Sequence, residues 1–360
     1  MMREKVVSFE IQRRRVLAPD GRPAAPGSDV GLPPEALRTR LHAMVRARVF
    51  DERAVRLQRA GQLGTYASAL GQEAVAVGVG VAMDPSDVLV PSFREHGAQL
   101  LRGVTPRELL LFWGGDERGC DFAGPREDFP VCIPVGSHAP HAAGVAWALQ
   151  LRGEARAAVC VLGDGATSKG DFYEAANVAG AWKLPVVFVV MNNQWAISVP
   201  RSAQSAAETL AQKAIAVGMP GEQVDGNDVL AVEEALTESL ERARGGEGPS
   251  MIEALTYRIA DHTTSDDATR YRDPEEVERH READPILRLR RLLERLDGFD
   301  AADYEALEQS CREEIEREVE AYLAEPPQPP SAIFDSLHER LPSALASQRE
   351  ACLDEATRRG

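Results

Sequence analysis

No stretch of the 360-residue chain approaches the ~18 consecutive apolar residues that a membrane span requires. The opening residues, MMREKVVSFEIQRRRV, lack the apolar centre of a secretory signal, so a cytoplasmic protein is expected. Cysteine is sparse: Cys120, Cys132, Cys160, Cys311 and Cys352 are odd in number and scattered, with no Cys-x-x-Cys pair. That spacing supports neither a disulfide framework nor a zinc ribbon, and reduced thiols are expected. Positive charge is in deficit as well. A formal net charge of −16 excludes a nucleic-acid surface, because phosphate binding needs concentrated Lys and Arg. Any anionic ligand must be held by a few local cations and backbone N–H groups against an unfavourable overall field. No G-x-G-x-x-G turn follows a strand, so a nicotinamide-binding oxidoreductase would lack its phosphate turn. No internal repeat is visible.

With 44% hydrophobic residues the chain can bury a large core, and its length suggests roughly two domains. Residues 1–34 read as an N-terminal arm, whose Pro- and Gly-rich part, 18–34 (APDGRPAAPGSDVGLPP), should be mobile. From Pro34, Leu37, Leu41, Met44 and Val45 recur at helical spacing up to a stop at Gly61. Gly78 and Gly80, in the small-residue helix that follows, suggest close approach to another backbone. DVLVPS is a short buried strand. Strand-like AAVCVL (157–162), helix-like 168–183 and strand-like PVVFVV (185–190) then form a βαβ unit. Strands apolar on both faces belong to a parallel sheet covered by helices, so the fold class is α/β. Segments 206–217 and 227–244 read as helices flanking the turn-rich GMPGEQVDGN, and SMIEALTYRI (250–259) as a strand. Residues 260–276 have almost no apolar anchor and should be an exposed loop. A main domain over 35–325 is followed by a Pro-rich break and a terminal helix over 326–360, a helical C-terminal extension.

Asp164 follows the first strand of the βαβ unit and Asn193 the second. In a right-handed βαβ unit both strands run the same way, so both residues reach the sheet edge where α/β ligand sites form. A carboxylate and an amide oxygen there suit Mg²⁺, which keeps phosphate and water for its other positions. Gly163 and Gly165 allow a tight turn, and the helix start at Thr167 and Ser168 offers N–H groups to a phosphate. A GDG turn alone would be unremarkable structure. GDG, 26 residues and then NN, with a helix and a strand between, matches the thiamine diphosphate motif.

The chain resembles the alpha subunit of the decarboxylating component of 2-oxo acid dehydrogenase complexes, of pyruvate and branched-chain type. The resemblance rests on GQLGTYASALGQEA (61–74), PSFREHG (91–97), the GDG…NN unit, LAQKAIAVGMPGEQVDGNDVLAV (210–232) and TYRIADHTTSDDATRYR (256–272), and so covers most of the chain. It implies a thiamine diphosphate-binding fold with a central parallel sheet flanked by helices. It implies that Asp164, Asn193 and the backbone carbonyl of Trp195 bind Mg²⁺, with Gly165 and Ala166 beside the diphosphate. Arg94 and His262 match the family's diphosphate-contacting cations, and the Arg fork of donors suits a phosphate. Phe93 stands where Tyr is common. Ile133 and Val135 match positions whose backbone contacts the aminopyrimidine. His138 falls where the family often has Gln near the active site and is a third catalytic candidate beside Arg94 and His262. His138 and His141, three apart, do not make a metal pair, because no third soft ligand is near. His96 reads equally as a cavity residue or a structural one. Thr263 occupies the position of the first phosphosite in animal homologues; the loop's position carries over, and its regulation does not.

The resemblance further implies an α₂β₂ heterotetramer with a beta subunit that contributes the Glu activating the cofactor. The implied reaction is oxidative decarboxylation of a small 2-oxo acid with reductive acylation of the lipoyl group of an acyltransferase component. Pyruvate is the favoured substrate and 3-methyl-2-oxobutanoate the alternative, ahead of a non-catalytic scaffold, which would not need an intact metal site.

Overall fold

The computed structural model describes residues 2–25, 27, 30–335 and 337–359. Eight strands run in chain order among them: β1 (Arg13–Arg14), β2 (Val88–Val90), β3 (Ala158–Gly163), β4 (Val186–Asn192), β5 (Trp195–Ala196), β6 (Val199–Pro200), β7 (Gly221–Asp225) and β8 (Ser250–Leu255). Six form one sheet in the order β1-β7-β8-β4-β3-β2, every neighbour parallel, while β5 and β6 make a small antiparallel hairpin. The expected α/β class and parallel sheet are present.

The two faces of the sheet follow from side-chain alternation. Ala158, Cys160, Leu162, Val186, Phe188 and Val190 pack under helices His138–Arg152 and Gly170–Trp182. Val159, Val161, Val187, Val189 and Met191 pack under helices Glu73–Ala82 and Val229–Arg244. Each fully buried aliphatic side chain contributes about 1.5–3 kcal/mol relative to exposure, which is why the inner strands read as continuous apolar runs. The close backbone approach expected at Gly78 and Gly80 is there: a Cβ on Gly78 would lie 3.3 Å from Glu233 N and one on Gly80 3.0 Å from Ala98 Cα. Gly61, at φ +72, follows the helix Pro34–Arg59.

Several elements differ from expectation. Part of the segment read as an arm is built into the sheet: β1 pairs with β7, and Leu17 is buried with its N–H bonded to Asp228 Oδ2 at 2.6 Å. Arg14 reaches Glu222 at 3.1 Å and Glu238 at 2.6 Å, so charge complementarity docks this part of the arm, which lies ahead of the Pro- and Gly-rich residues. The turn-rich GEQVD is β7, paired on both sides. Of the helix expected over 206–217 only Gln212–Ala216 forms, because side chains take its backbone donors: Thr209 N bonds Gln212 Oε1 at 3.2 Å and Ala211 N bonds buried Glu253 Oε2 at 3.1 Å. Residues 260–276 do not hang free. Ala268 and Arg272 are buried, and a helix starts at Pro274.

Two compact units divide the chain, Met1–Val319 and Glu320–Gly360, the latter carrying the helix Ser343–Arg359. Among the described residues no helix is long and apolar enough to cross a membrane.

Candidate functional site

Strands β3 and β4 are in register from Ala158↔Val186 to Gly163↔Met191, so the residues that follow, Asp164 and Asn193, emerge together at one edge. Both line a cavity of about 300 Å³ with Phe93, Arg94, Val135, Gly165, Ala166, Trp195 and His262. Asp164 is buried at this edge, and its Oδ2 has no hydrogen-bond partner. Burial pushes its pKa up to about 6. A desolvated carboxylate oxygen without a partner is costly unless a cation meets it. A Cβ on Gly165 would lie 2.9 Å from Ala196 Cβ, so glycine keeps the cradle open.

Asn193 is oriented by two contacts. Its Nδ2 donates to Gln72 Oε1 at 2.9 Å and its Oδ1 accepts from Trp195 N at 3.3 Å, which points a carbonyl-type oxygen inward. The chain turns through Gln194 at φ 73 and Ile197 at φ 56, left-handed conformations that a β-branched residue adopts only under constraint. Arg258 supplies that constraint. Its Nη1 donates to the Trp195 carbonyl at 3.0 Å and its Nη2 to the Ile197 carbonyl at 2.8 Å. One lone pair of the expected Trp195 metal ligand is therefore already engaged.

Arg94 and His262 line the same cavity. Arg94 donates from Nη1 to the Ser68 carbonyl and from Nη2 to the His262 carbonyl at 2.7 Å and to His262 Nδ1 at 3.1 Å. Burial, then Arg258, brings the Arg94 guanidinium down to about 10, so it remains a cation at neutral pH. Burial, then Arg94 and Arg258, brings His262 down to about 4. The expected His262 cation is therefore a neutral imidazole. Because guanidinium only donates, Nδ1 is the acceptor and Nε2 carries the proton, leaving an N–H donor for the cavity. Tyr271 OH donates to Asp266 Oδ2 and accepts from Arg258 Nη2 at 3.0 Å; Arg272 donates to the carbonyls of Arg258, Ile259 (3.0 Å) and Ala260 (3.2 Å). This sews to the site a segment that was expected to be an exposed loop.

A second cavity of about 560 Å³ shares Phe93, Val135, Ile197 and His262 with the first and adds Thr65, Phe112, Trp113, Ile133 and Thr263. Ile133 thus belongs to this neighbouring space. His138 lines neither cavity: it is buried with Nε2 2.8 Å from the Val161 carbonyl, a donor held against the far side of β3. His96 is buried between Trp113 (Nε1 to Nε2, 3.1 Å) and Tyr66 (OH to Nδ1, 3.3 Å), a structural position. His141 sits 6.1 Å from the Phe129 ring and lines neither cavity.

Sequence reasoning missed Gln72, Arg258 and Gln204. Each is a lone polar residue outside the GDG…NN spacing, and only β8, the hairpin and the Gly71–Gln72 turn bring them here. No group of three or more His, Cys, Asp or Glu that could hold a metal occurs among the described residues. The donor set is one carboxylate, one amide oxygen and carbonyls, which suits a hard cation that shares its shell with phosphate.

The family described as Dehydrogenase E1 component matches residues 41–331. The chain is 44% identical over 290 residues to a 3-methyl-2-oxobutanoate dehydrogenase subunit alpha of Mycobacterium tuberculosis, covering 80% of this chain and 79% of that one. It is 36% identical over 331 residues to the pyruvate dehydrogenase E1 component subunit alpha of Mycoplasma genitalium, covering 92% of each. With the corresponding subunit of Staphylococcus aureus it shares 39% over 317 residues, 88% of this chain and 86% of the other.

Proposed function

The chain belongs to the dehydrogenase E1 component family of thiamine diphosphate-dependent 2-oxo acid dehydrogenases, and on that premise we propose that it is the alpha subunit of a cytoplasmic pyruvate dehydrogenase, working with a beta subunit in an α₂β₂ assembly. The observation that carries this reading is the buried, partnerless Asp164 Oδ2 beside Asn193, with the Arg94 cation across the same cavity. A Mg²⁺-diphosphate group fits such a site, taking anionic and neutral oxygens at its metal end and guanidinium and imidazole donors at its phosphate end. Thiamine diphosphate, when bound, supplies the nucleophile for the 2-oxo carbon and the electron sink for decarboxylation.

The protein's part is orientation and electrostatics. Asp164 and Asn193 Oδ1 hold the cation, with Gln72 fixing the amide. Arg94 and the Nε2–H of His262 hold the phosphate oxygens. Phe93 and Val135 supply apolar surface to both cavities. Ile133, Val135 and Ile197 are each about half exposed at the mouth, as suits a surface that a partner subunit covers. The acyl group leaves this cavity for the lipoyl group of an acyltransferase component.

A second reading, 3-methyl-2-oxobutanoate as substrate, is favoured by the 44% identity to the Mycobacterium tuberculosis subunit and by the apolar second cavity, which has room for a branched chain. The two are separated by assembling the chain with the beta subunit encoded beside it and measuring CO₂ release from both acids. We expect pyruvate to give the higher kcat/KM; a reversed preference would establish the branched-chain reading, and no release from either would refute both.

A further inference from the structure

We propose that Gln204 is a ligand of the diphosphate, donating a side-chain N–H to one of its oxygens, and that Ser168 holds it in position; this rests on the cofactor reading above. Gln204 ends the four-residue helix Arg201–Gln204 that follows the β5–β6 hairpin, and it lines the same cavity as Asp164 and Gly165. Its Oε1 accepts from the Ser168 hydroxyl at 3.0 Å. The opposite amide orientation would turn Oε1 towards the Asp164 carboxylate and is disfavoured by repulsion.

Gln204 Nε2 is buried and has no partner, and so is Asp164 Oδ2. The cavity thus carries one orphan donor and one orphan acceptor around Gly165, where a Cβ would lie 3.9 Å from Gln204 Nε2. No hydrogen bond of good geometry joins the two, although Gln204 lies near enough to Asp164 to favour its ionised form. A lone cation would satisfy Asp164 and leave the amide stranded; a lone anion would do the reverse. A metal–diphosphate group offers a cation to one and an oxygen to the other. Lys213, close enough to Asp164 to interact with it electrostatically, is engaged elsewhere, donating to the Thr167 carbonyl at 2.6 Å and its hydroxyl at 2.9 Å. A neutral amide is therefore what this side presents to the phosphate.

The test is cofactor affinity of the α₂β₂ assembly by calorimetry at saturating Mg²⁺, for wild type, Gln204→Ala, Gln204→Met and Gln204→Glu. Loss of a hydrogen bond to a charged oxygen weakens thiamine diphosphate binding about tenfold or more in the first two variants. Gln204→Met keeps the volume and removes the donor, so it separates this loss from a packing defect, and Gln204→Glu binds more weakly still. Ser168→Ala loses a smaller factor in the same direction, and Ser168→Thr restores it. Inorganic diphosphate with Mg²⁺, used as competitor, loses the same factor as the cofactor, whereas thiamine, which has no phosphate, competes equally in wild type and variants. Equal cofactor affinities in wild type and Gln204→Ala, or an equal loss with thiamine, overturn the assignment alone. A wild-type assembly that binds no thiamine diphosphate overturns both the assignment and the reading it rests on.

Discussion

Arg94 and His262 look alike as basic residues at a phosphate, yet their surroundings give them different chemistry. Arg94 stays charged, so the contact proposed for it with a diphosphate oxygen would be charge-assisted, worth about 1.5–3 kcal/mol; a neutral imidazole N–H would be worth about 0.5–1.5 kcal/mol. Arg94→Ala should therefore weaken thiamine diphosphate binding more than His262→Ala, as measured by calorimetry of the α₂β₂ assembly. The reverse order would refute the neutral state assigned to His262. His96 gives a prediction of a different kind. Indole N–H only donates, so His96 Nε2 is an acceptor, Nδ1–H donates to the Tyr66 oxygen, and Tyr66 OH donates to Asp51 Oδ1 at 2.9 Å. Burial, then Arg94, brings the His96 pKa from 6.5 down to about 3. A depressed folded-state value means that the stability it contributes is fully present above pH 6.5 and is lost as pH falls towards 3. The stability advantage of wild type over His96→Gln should shrink by about 1.4 kcal/mol per pH unit between pH 6 and 4. Denaturant unfolding across that range checks it, and a constant difference would show that His96 is not held neutral. Asp164 and Asn193 were legible because strand ends and a fixed spacing place them together. Arg258 was not, since nothing local in TYRIADH distinguishes an arginine that clamps the carbonyls of Trp195 and Ile197 from one facing solvent.

Among the elements, the βαβ unit could be read with little error, because strands apolar on both faces and a Gly-bounded helix have few alternatives. Strand β7 could not. Glu222, Gln223 and Asp225 are polar, and their partners are Arg14 for Glu222, Glu253 for Gln223 and Arg288 for Asp225, all distant in sequence. The loop over 260–276 was misjudged for a related reason. It lacks aliphatic anchors, as composition says, and it is held by Arg272 on backbone carbonyls and by Tyr271 between Arg258 and Asp266. Arg272 is buried while Arg270 is exposed, so trypsin should cut after Arg270 and spare Arg272. His262, at the start of the loop, is bonded to Arg94 in the proposed diphosphate site, and on that proposal thiamine diphosphate with Mg²⁺ should slow the Arg270 cut by shifting an order–disorder equilibrium. Limited digestion of the α₂β₂ assembly with and without cofactor measures this; equal rates would mean that the loop and the cofactor are uncoupled.

For the whole molecule, α/β class and the parallel sheet followed from pattern, whereas the order of strands did not, because pairing between distant segments leaves no periodic trace. That order has a consequence for how the chain is made. Strand β8 is the last of the sheet to be synthesised, yet it lies between β7 and β4. Until Leu255 has left the ribosome, β4 and β7 each present an unpaired inner edge, and the slot between them is lined by Val187, Val189 and Val224, all fully buried in the finished fold. Such edges are templates for pairing with another chain, so the interval before β8 arrives is when the protein is most exposed to aggregation. Arg258 and His262 come directly after this closing strand. On the proposed reading of the site, the cofactor cannot rescue a nascent chain during that interval, because two of the groups around its cavity do not yet exist.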